Sequence, residues 1–323
     1  QYKIYILEVY NMDKISCVIV TYNRKELLKE CIQAVINQTY KVDTIYIIDN
    51  NSTDGTQLLF DEESKFNIDN IKYIKLNENL GGAGGFFRGM KEVNYDNTDW
   101  VWIMDDDTIP TSTALEKLIE SNDKLKNEKV SFLCSKVVDQ DYMEMNIPCI
   151  SERVGKNGYK LWAKYIGENI IEVSAATFVS VLINTKAICV VGLPWKNFFI
   201  WGDDTEYTMR LNRDFGPGFL VGSSLVIHKR FGGQNIDILK ETNINRINLY
   251  KYKYRNDLII AKEYKGNKYL LILILKDLID IIKCLQKRDE SKYLKIITIF
   301  KGIKQFLFDC KAKREFKNRK ILS

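Results

Sequence analysis

The sequence predicts an α/β protein: a mostly parallel sheet covered by helices on both faces, with a helical C-terminal extension. Three observations carry this. Short β-rich apolar runs alternate with helical patterns through about the first 125 of 323 residues. Each run ends in polar, acidic or glycine-rich residues, as strands opening on one edge of a parallel sheet would. From about Asn235 onward the pattern is helical, with basic and apolar residues mixed.

The elements follow in order. "ISCVIVTYN" (Ile15–Asn23) reads as a buried parallel strand, and "RKELLKECIQAVINQ" as a helix with Leu28, Cys31, Ile32 and Val35 on its apolar face. "TIYIID" (Thr44–Asp49) is the next strand, with turn chemistry in "NNSTDGT". "IKYIKL" (Ile71–Leu76) and "WVWIM" (Trp100–Met104) are the third and fourth, and Thr111 or Ser112 is positioned to cap the helix after them. "VSFLCSKVV" and "IEVSAATFVSVLI" then read as two longer strands. "DDTEYTMRLNRDFG" reads as a helix ended by Gly216 and Pro217, and "FLVGSSLVIHKR" as a further strand. The division expected is a sheet domain over 12–232 and a basic amphipathic helical region over 233–323.

Length calls for one large α/β domain plus an extra segment, or for two domains. Hydrophobic content of 46% and charge of 28% are those of a globular protein. The seven cysteines include no CxxC pair, which fits a reduced, cytoplasmic protein rather than a disulfide framework or zinc site. No signal peptide is read at the N-terminus; Met12 is a candidate start. From Lys283 to the end there are thirteen Lys and Arg against four Asp and Glu, so the net +6 of the chain leaves residues 1–282 at −3. Positive charge confined to the tail argues against a nucleic-acid binder.

Four strand exits collect polar groups in one crevice: Thr21-Tyr22-Asn23, Asp49-Asn50, Asn77 through Gly85, and Asp105-Asp106-Asp107. "NLGGAGGFFRG" (Asn79–Gly89) is not a dinucleotide fingerprint, because Phe87 stands where a third glycine is needed and the run follows the third strand. It reads either as a phosphate-side loop or as a glycine-packed helix start. Asp105 and Asp107 have the spacing to present two hard oxygen ligands to Mg²⁺ or Mn²⁺; a solvated acidic helix start is the alternative. Asp203, Asp204 and Glu206 follow an aromatic run, where a carboxyl is raised in pKa and suited to a base role, or form an ordinary acidic first turn. His228, the sole histidine, reads as a structural residue or a ligand. In the tail, "YLKIITIFKGIKQFLF" is a basic amphipathic stretch. It reads as lying on an anionic membrane surface, with a homo-oligomerisation arm as the alternative. The apolar run Tyr269–Leu275 is too short to span a bilayer.

Taken in order, "VIVTYNR", "IDNNSTDGT", "NLGGAGGFFRG", "WIMDDD", "WGDDTEYTMR" and "VIHKR" resemble glycosyltransferase family 2 with its GT-A, Rossmann-like fold. The likeness runs over about Lys14 to Arg230 and is strongest to bacterial galactofuranosyltransferases. The resemblance implies a metal-dependent inverting transferase that moves galactofuranose from UDP-galactofuranose to a glycan or glycolipid acceptor, working at the inner face of the cell membrane. It implies Thr21, Asn23, Arg24, Asp49 and Asn50 at the nucleotide, Asn50 standing where many relatives have Asp. Gly82, Gly84 and Arg88 are implied near the sugar diphosphate, and Asp106 at the sugar or ribose. Asp105, Asp107 and His228 are implied as ligands of Mn²⁺ or Mg²⁺, and Asp204, with Asp203, as the catalytic carboxylates. Trp201 and Trp195 are implied as sugar platforms. The 24-residue step from Asp204 to His228 suits that arrangement. The polymerising galactofuranosyltransferases carry extra domains at both ends, and the little room for a large N-terminal domain in this sequence leads to an expectation of one or a few additions rather than long polymerisation. A dTDP-rhamnose donor, or a non-catalytic nucleotide-sugar-binding assembly protein, are the competing readings.

Overall fold

A computed structural model describes residues 12–229 and 236–308. Its strands form one sheet whose order reverses in the middle. β1 (Ile15–Thr21) pairs in parallel with β2 (Thr44–Asp49), and β2 with β3 (Ile71–Lys75); on its other side β1 pairs in parallel with β4 (Trp100–Asp105). The chain thus leaves β1 for one direction and returns to its opposite edge. This is the switch point at which open α/β sheets form a crevice beyond the strand ends. The register sets Val20 beside Asp105 and Thr21 beside Asp49, so the polar strand exits stand level.

Helices cover both faces, as the apolar strands require. α1 (Lys25–Ile36) buries Leu28, Cys31, Ile32 and Val35, the face read from the sequence. α2 (Gly81–Glu92) occupies the glycine run and packs on the opposite face, its Phe86 and Met90 against Val18, Val20 and Ile48. A Cβ at Gly89 would come within 2.3 Å of Val18 Cγ1, so the glycines let this helix lie close to β1. β5 (Thr108–Pro110) turns back after the acidic triplet. α3 (Ala114–Lys124) starts after Thr113, not after Thr111 or Ser112. Its end is capped from another element: Leu115 N donates to Gln38 Oε1 at 3.0 Å, while Thr111 Oγ1 is committed to Leu225 O.

The second half completes the sheet. β6 (Phe132–Val138) carries a short partner, β7 (Glu144–Met145). β8 (Cys149–Ile150) lies at the far edge on β9 (Ile170–Ala175). The run expected as one long strand is two. β9 leaves the chain against β11 (Gly218–His228), while β10 (Val181–Asn184) inserts antiparallel between β4 and β6. The break at Ala176–Ser180 is mostly buried and holds Phe178 and Val179, so hydropathy carries little sign of it. α4 (Thr185–Val191) and α5 (Asp203–Asp214) follow, and β11 runs parallel to β6.

Three helices close the described chain: α6 (Ile244–Ile260), α7 (Gly266–Gln286) and α8 (Lys292–Phe308). α6 and α8 share apolar clusters with the sheet domain. One gathers Ala83, Phe198, Leu258, Ile259, Ile260 and Phe306. Residues 230–235, where the domain division was expected, and the basic tail past residue 308, with Cys310, lie outside the described residues.

Candidate active site

The acidic triplet is a turn between two strands. β4 ends at Asp105, Asp106 and Asp107 make the turn, and β5 runs back along β11 with Thr108 opposite His228. That register delivers the sole histidine to the turn: His228 Nε2 lies 3.1 Å from Asp107 Oδ1, and Lys229 N donates to Asp107 O at 2.8 Å. The second ring nitrogen, Nδ1, lies 3.0 Å from Asn146 Oδ1. Asn146 stands in no sequence motif and arrives only by the fold of the β7 hairpin.

Arg24, in the loop after β1, answers the triplet's charge. Its Nη1 lies 2.7 Å from Asp107 Oδ2 and 3.2 Å from Asp106 Oδ1, and Thr21 Oγ1 donates to Asp106 Oδ2 at 2.7 Å. Burial pushes the carboxyls apart in acidity. Asp105 is raised well above the usual range by desolvation and by Asp107 and Asp106 beside it. Asp106 is raised to about 6 by burial, tempered by Arg24. Asp107 is lowered: burial opposes its charge, but the His228 bond and then Arg24 outweigh it.

The second acidic cluster comes to the same edge. Asp203 and Asp204 open α5, and the charge of Asp203 acts on Asp105. Asp203 is raised to about 8 by burial and by Asp204. Asp204 is raised as well, again chiefly by burial; its Oδ1 accepts from Thr205 N at 2.6 Å. Glu206 does not join them. It is buried in a bidentate pair with Arg210 (2.9 and 3.1 Å), and Tyr264 Oη donates to it at 2.7 Å. Arg210 also holds the carbonyls of Val191 and Leu193. Glu206 therefore anchors α5 to its surroundings.

The remaining expected residues divide. Asp49 is buried, with Oδ1 accepting from Ser52 N and Oδ2 from Tyr73 Oη. Asn50 bridges to α2: its Nδ2 donates to Gly81 O at 3.2 Å and its Oδ1 accepts from Leu80 N at 3.3 Å. Asn23, exposed with φ 53°, accepts from Thr53 N. A Cβ on Gly82 would meet nothing within 4 Å, so that residue faces open space, whereas one on Gly84 would strike Leu80. Arg88 is seven residues beyond Gly81, about 10 Å along the helix, and pairs with Glu92 at 2.8 Å. Trp201 packs on Tyr250 at 4.9 Å, and Trp195 lies 5.0 Å from the Arg210 guanidinium.

The segment leading into Asp203 is strained and clamped. Phe199 has φ 64° and ψ −63° with Ile200 N bonded to Phe198 O, a rare γ-turn, and Trp201 has φ 62°. Asn256, fully buried on α6, directs its side-chain amide at the carbonyls of Phe198, Ile200 and Trp201. Arg255 donates to Asn256 Oδ1 and to Asn197 O. Gly81, with φ 71°, is needed where α2 meets this segment: a Cβ there would lie 2.1 Å from Phe199 O. No motif marks Arg255 or Asn256, and in a helix that also carries Arg246, Asn248, Lys251, Lys253 and Asp257 nothing sets them apart.

The donor chemistry fits a divalent cation. Hard carboxylate oxygens and an imidazole nitrogen suit Mg²⁺ or Mn²⁺. His228 presents Nε2 to the Asp107 carboxylate and Nδ1 to Asn146 Oδ1, so an imidazole nitrogen and a carboxylate oxygen stand side by side. Among the described residues, no three His, Cys, Asp or Glu side chains are grouped as ligands of one ion. Arg24 supplies the positive charge in this structure.

Residues 16–168 match the model of glycosyl transferase family 2. That region, just under half of the chain, is similar to family 2 glycosyltransferases, and the fold is of the GT-A type. The chain is 26% identical over 214 residues to galactofuranosyltransferase GlfT1 of Mycolicibacterium smegmatis, covering 63% of this chain and 67% of that one. It is 25% identical over 323 residues to a dolichyl N-acetyl-α-D-glucosaminyl phosphate 3-β-D-2,3-diacetamido-2,3-dideoxy-β-D-glucuronosyltransferase of Methanococcus voltae, over 93% of this chain and 94% of that one. Among solved structures it shares its fold with GalNAc-T7, crystallised with UDP, GalNAc and Mn²⁺. The TM-score is 0.55 at 15% identity, over 82% of this chain and 54% of that one.

Proposed function

We propose that the protein is an inverting galactofuranosyltransferase that moves galactofuranose from UDP-galactofuranose to a hydroxyl of a lipid-linked glycan. The observation that carries this reading is the meeting of two acidic clusters at the sheet's switch point. Asp105–Asp107 come from the end of β4, and Asp203–Asp204 from the start of α5, with the charge of Asp203 acting on Asp105. The donor assignment leans on the likeness to GlfT1, and the lipid-linked acceptor on the relative named for a dolichyl-linked substrate.

In this reading Asp204 takes the proton from the acceptor hydroxyl; burial raises its pKa and that of Asp203 beside it, toward the basicity a base near neutral pH needs. The acceptor oxygen then attacks the anomeric carbon from the face opposite the diphosphate, and the bond from that carbon to UDP breaks. Asp105, Asp107 and His228 would hold Mn²⁺ or Mg²⁺. When bound, the ion offsets the negative charge that develops on the leaving diphosphate. Thr21 and Arg24 fix Asp106 at the crevice mouth, and Gly82 leaves room on the α2 side. Thr21, Asp49 and Asn50 border the proposed uridine position.

The test is a donor screen with Mn²⁺ and a lipid-like galactose acceptor, reading UDP or dTDP release. Release from UDP-galactofuranose supports the reading. Turnover with dTDP-rhamnose alone moves the donor, and UDP binding without transfer from any donor makes the protein a binding module.

A further inference from the structure

We infer that α7 is the bilayer-facing element of this protein and that its partner is an anionic lipid surface. The sequence drew attention to α8, which packs one side on α6, buries Lys295 against Asp289 and leaves Tyr293, Ile297, Phe300, Leu307 and Phe308 exposed. The more continuous uncovered apolar face is that of α7. Leu271, Leu275, Leu278, Ile282 and Leu285 are each between 41% and 62% exposed and recur at steps of four and three residues. At 100° per residue they form one stripe along a helix about 31 Å long. Ile272 and Ile279 widen it.

The charge beside the stripe is mainly basic. Lys276 and Lys283 lie along one flank, and Lys265 and Lys268 at the N-terminal end, all exposed. The two aspartates of α7 are turned inward. Asp277 is buried, and Asp280 accepts from Tyr254 Oη at 3.0 Å and keeps a long 3.9 Å pairing with Lys283. α8 presents Lys301 and Lys304 and contains no acidic residue. A four-three stripe also suits a coiled coil, but pairing two copies would set lysines against lysines where such seams place complementary charges. An anionic bilayer satisfies both the apolar stripe and its basic border. None of the described helices is long and apolar enough to cross the membrane, so α7 lies along it.

The experiment is co-sedimentation of the full chain with phosphatidylcholine vesicles, with and without phosphatidylglycerol. The wild type should pellet with the anionic vesicles and be released by salt. Lys276→Glu with Lys283→Glu should weaken the partition by at least about 25-fold, from roughly fivefold per basic residue at a membrane surface. Leu275→Glu with Ile279→Glu should weaken it at least as much, with the basic tail left intact in both. Circular dichroism and UDP binding check folding; should the apolar pair misfold, the lysine pair, exposed in either form, carries the test. Unchanged partition in the lysine variant overturns the proposal. So does a wild-type dimer that Leu275→Glu with Ile279→Glu turns into monomers, which would assign the stripe to a second copy of this chain.

Discussion

Asn256 Nδ2 lies 2.7 Å from the carbonyl oxygen of Trp201, two residues before Asp203. The same nitrogen lies 3.0 Å from Phe198 O and 3.2 Å from Ile200 O. One buried amide on a C-terminal helix therefore holds the segment that contains two non-glycine residues at positive φ. Such residues cost on the order of 1–3 kcal/mol each and persist only where their surroundings over-determine them. Asn256→Ala should lower the melting temperature and reduce kcat on the order of 10²-fold, because small misplacements of reacting groups are expensive. UDP binding by calorimetry should change little. A variant with reduced stability but wild-type kcat would reduce Asn256 to a purely structural residue.

Asp204→Ala should lose ~10²–10⁴-fold in turnover, the usual worth of a general base, with UDP affinity retained. Steady-state UDP release and calorimetry separate the two effects. Near wild-type turnover would remove Asp204 from the base role.

Asp107 and His228 share one contact, and each should matter to metal-dependent binding. In Asp107→Ala and His228→Ala, UDP titrations with Mn²⁺ and with chelator should converge, whereas in the wild type they should differ. If the variants keep the wild-type difference, the ligand assignment is wrong.

Asp203 gives a pH dependence whose sign is fixed. Its pKa is about 8 in the fold against an ordinary value of 3.8. The folded chain therefore keeps a proton that the unfolded chain has released. Stability from this group is full below the lower value and is lost as pH rises toward the higher. The melting temperature of the metal-free protein should fall across that window, and Asp203→Asn should flatten the fall. Turnover should run the other way, rising with pH as the carboxyl pair ionises. Parallel melting curves for variant and wild type at every pH would remove Asp203 as the cause.

Glu206, within the same acidic stretch, should behave differently. Removing one member of a buried ion pair costs about 3–5 kcal/mol, so Glu206→Ala should melt markedly lower. Below its melting point its kcat should stay close to wild type. Loss of kcat without loss of stability would return Glu206 to the active site.

The sequence by itself determined the alternating half of the sheet. Ile15–Thr21, Thr44–Asp49, Ile71–Lys75 and Trp100–Asp105 are strands as read, and the buried face of α1 is the one its spacing gives. Local periodicity is enough there, because a strand buried on both faces and an amphipathic helix each write their environment into neighbouring residues. The six ordered motifs likewise carried the likeness to family 2 glycosyltransferases. Tertiary structure alone decided what depends on contacts far apart in sequence. Register brought His228 to Asp107 across 121 residues, and with it Asn146. The apolar run from Ile170 split into β9 and β10 because two different sheet positions needed strands, and hydropathy is the same in both. Asp203, Asp204 and Glu206 are alike on paper. Packing set the first two at the crevice and gave the third to Arg210. The C-terminal helices read as a separate basic region, yet Asn256 reaches back 55 residues to the loop before Asp203 and Asp204. A hydrogen bond to a backbone carbonyl leaves no trace in the sequence of the residue that accepts it.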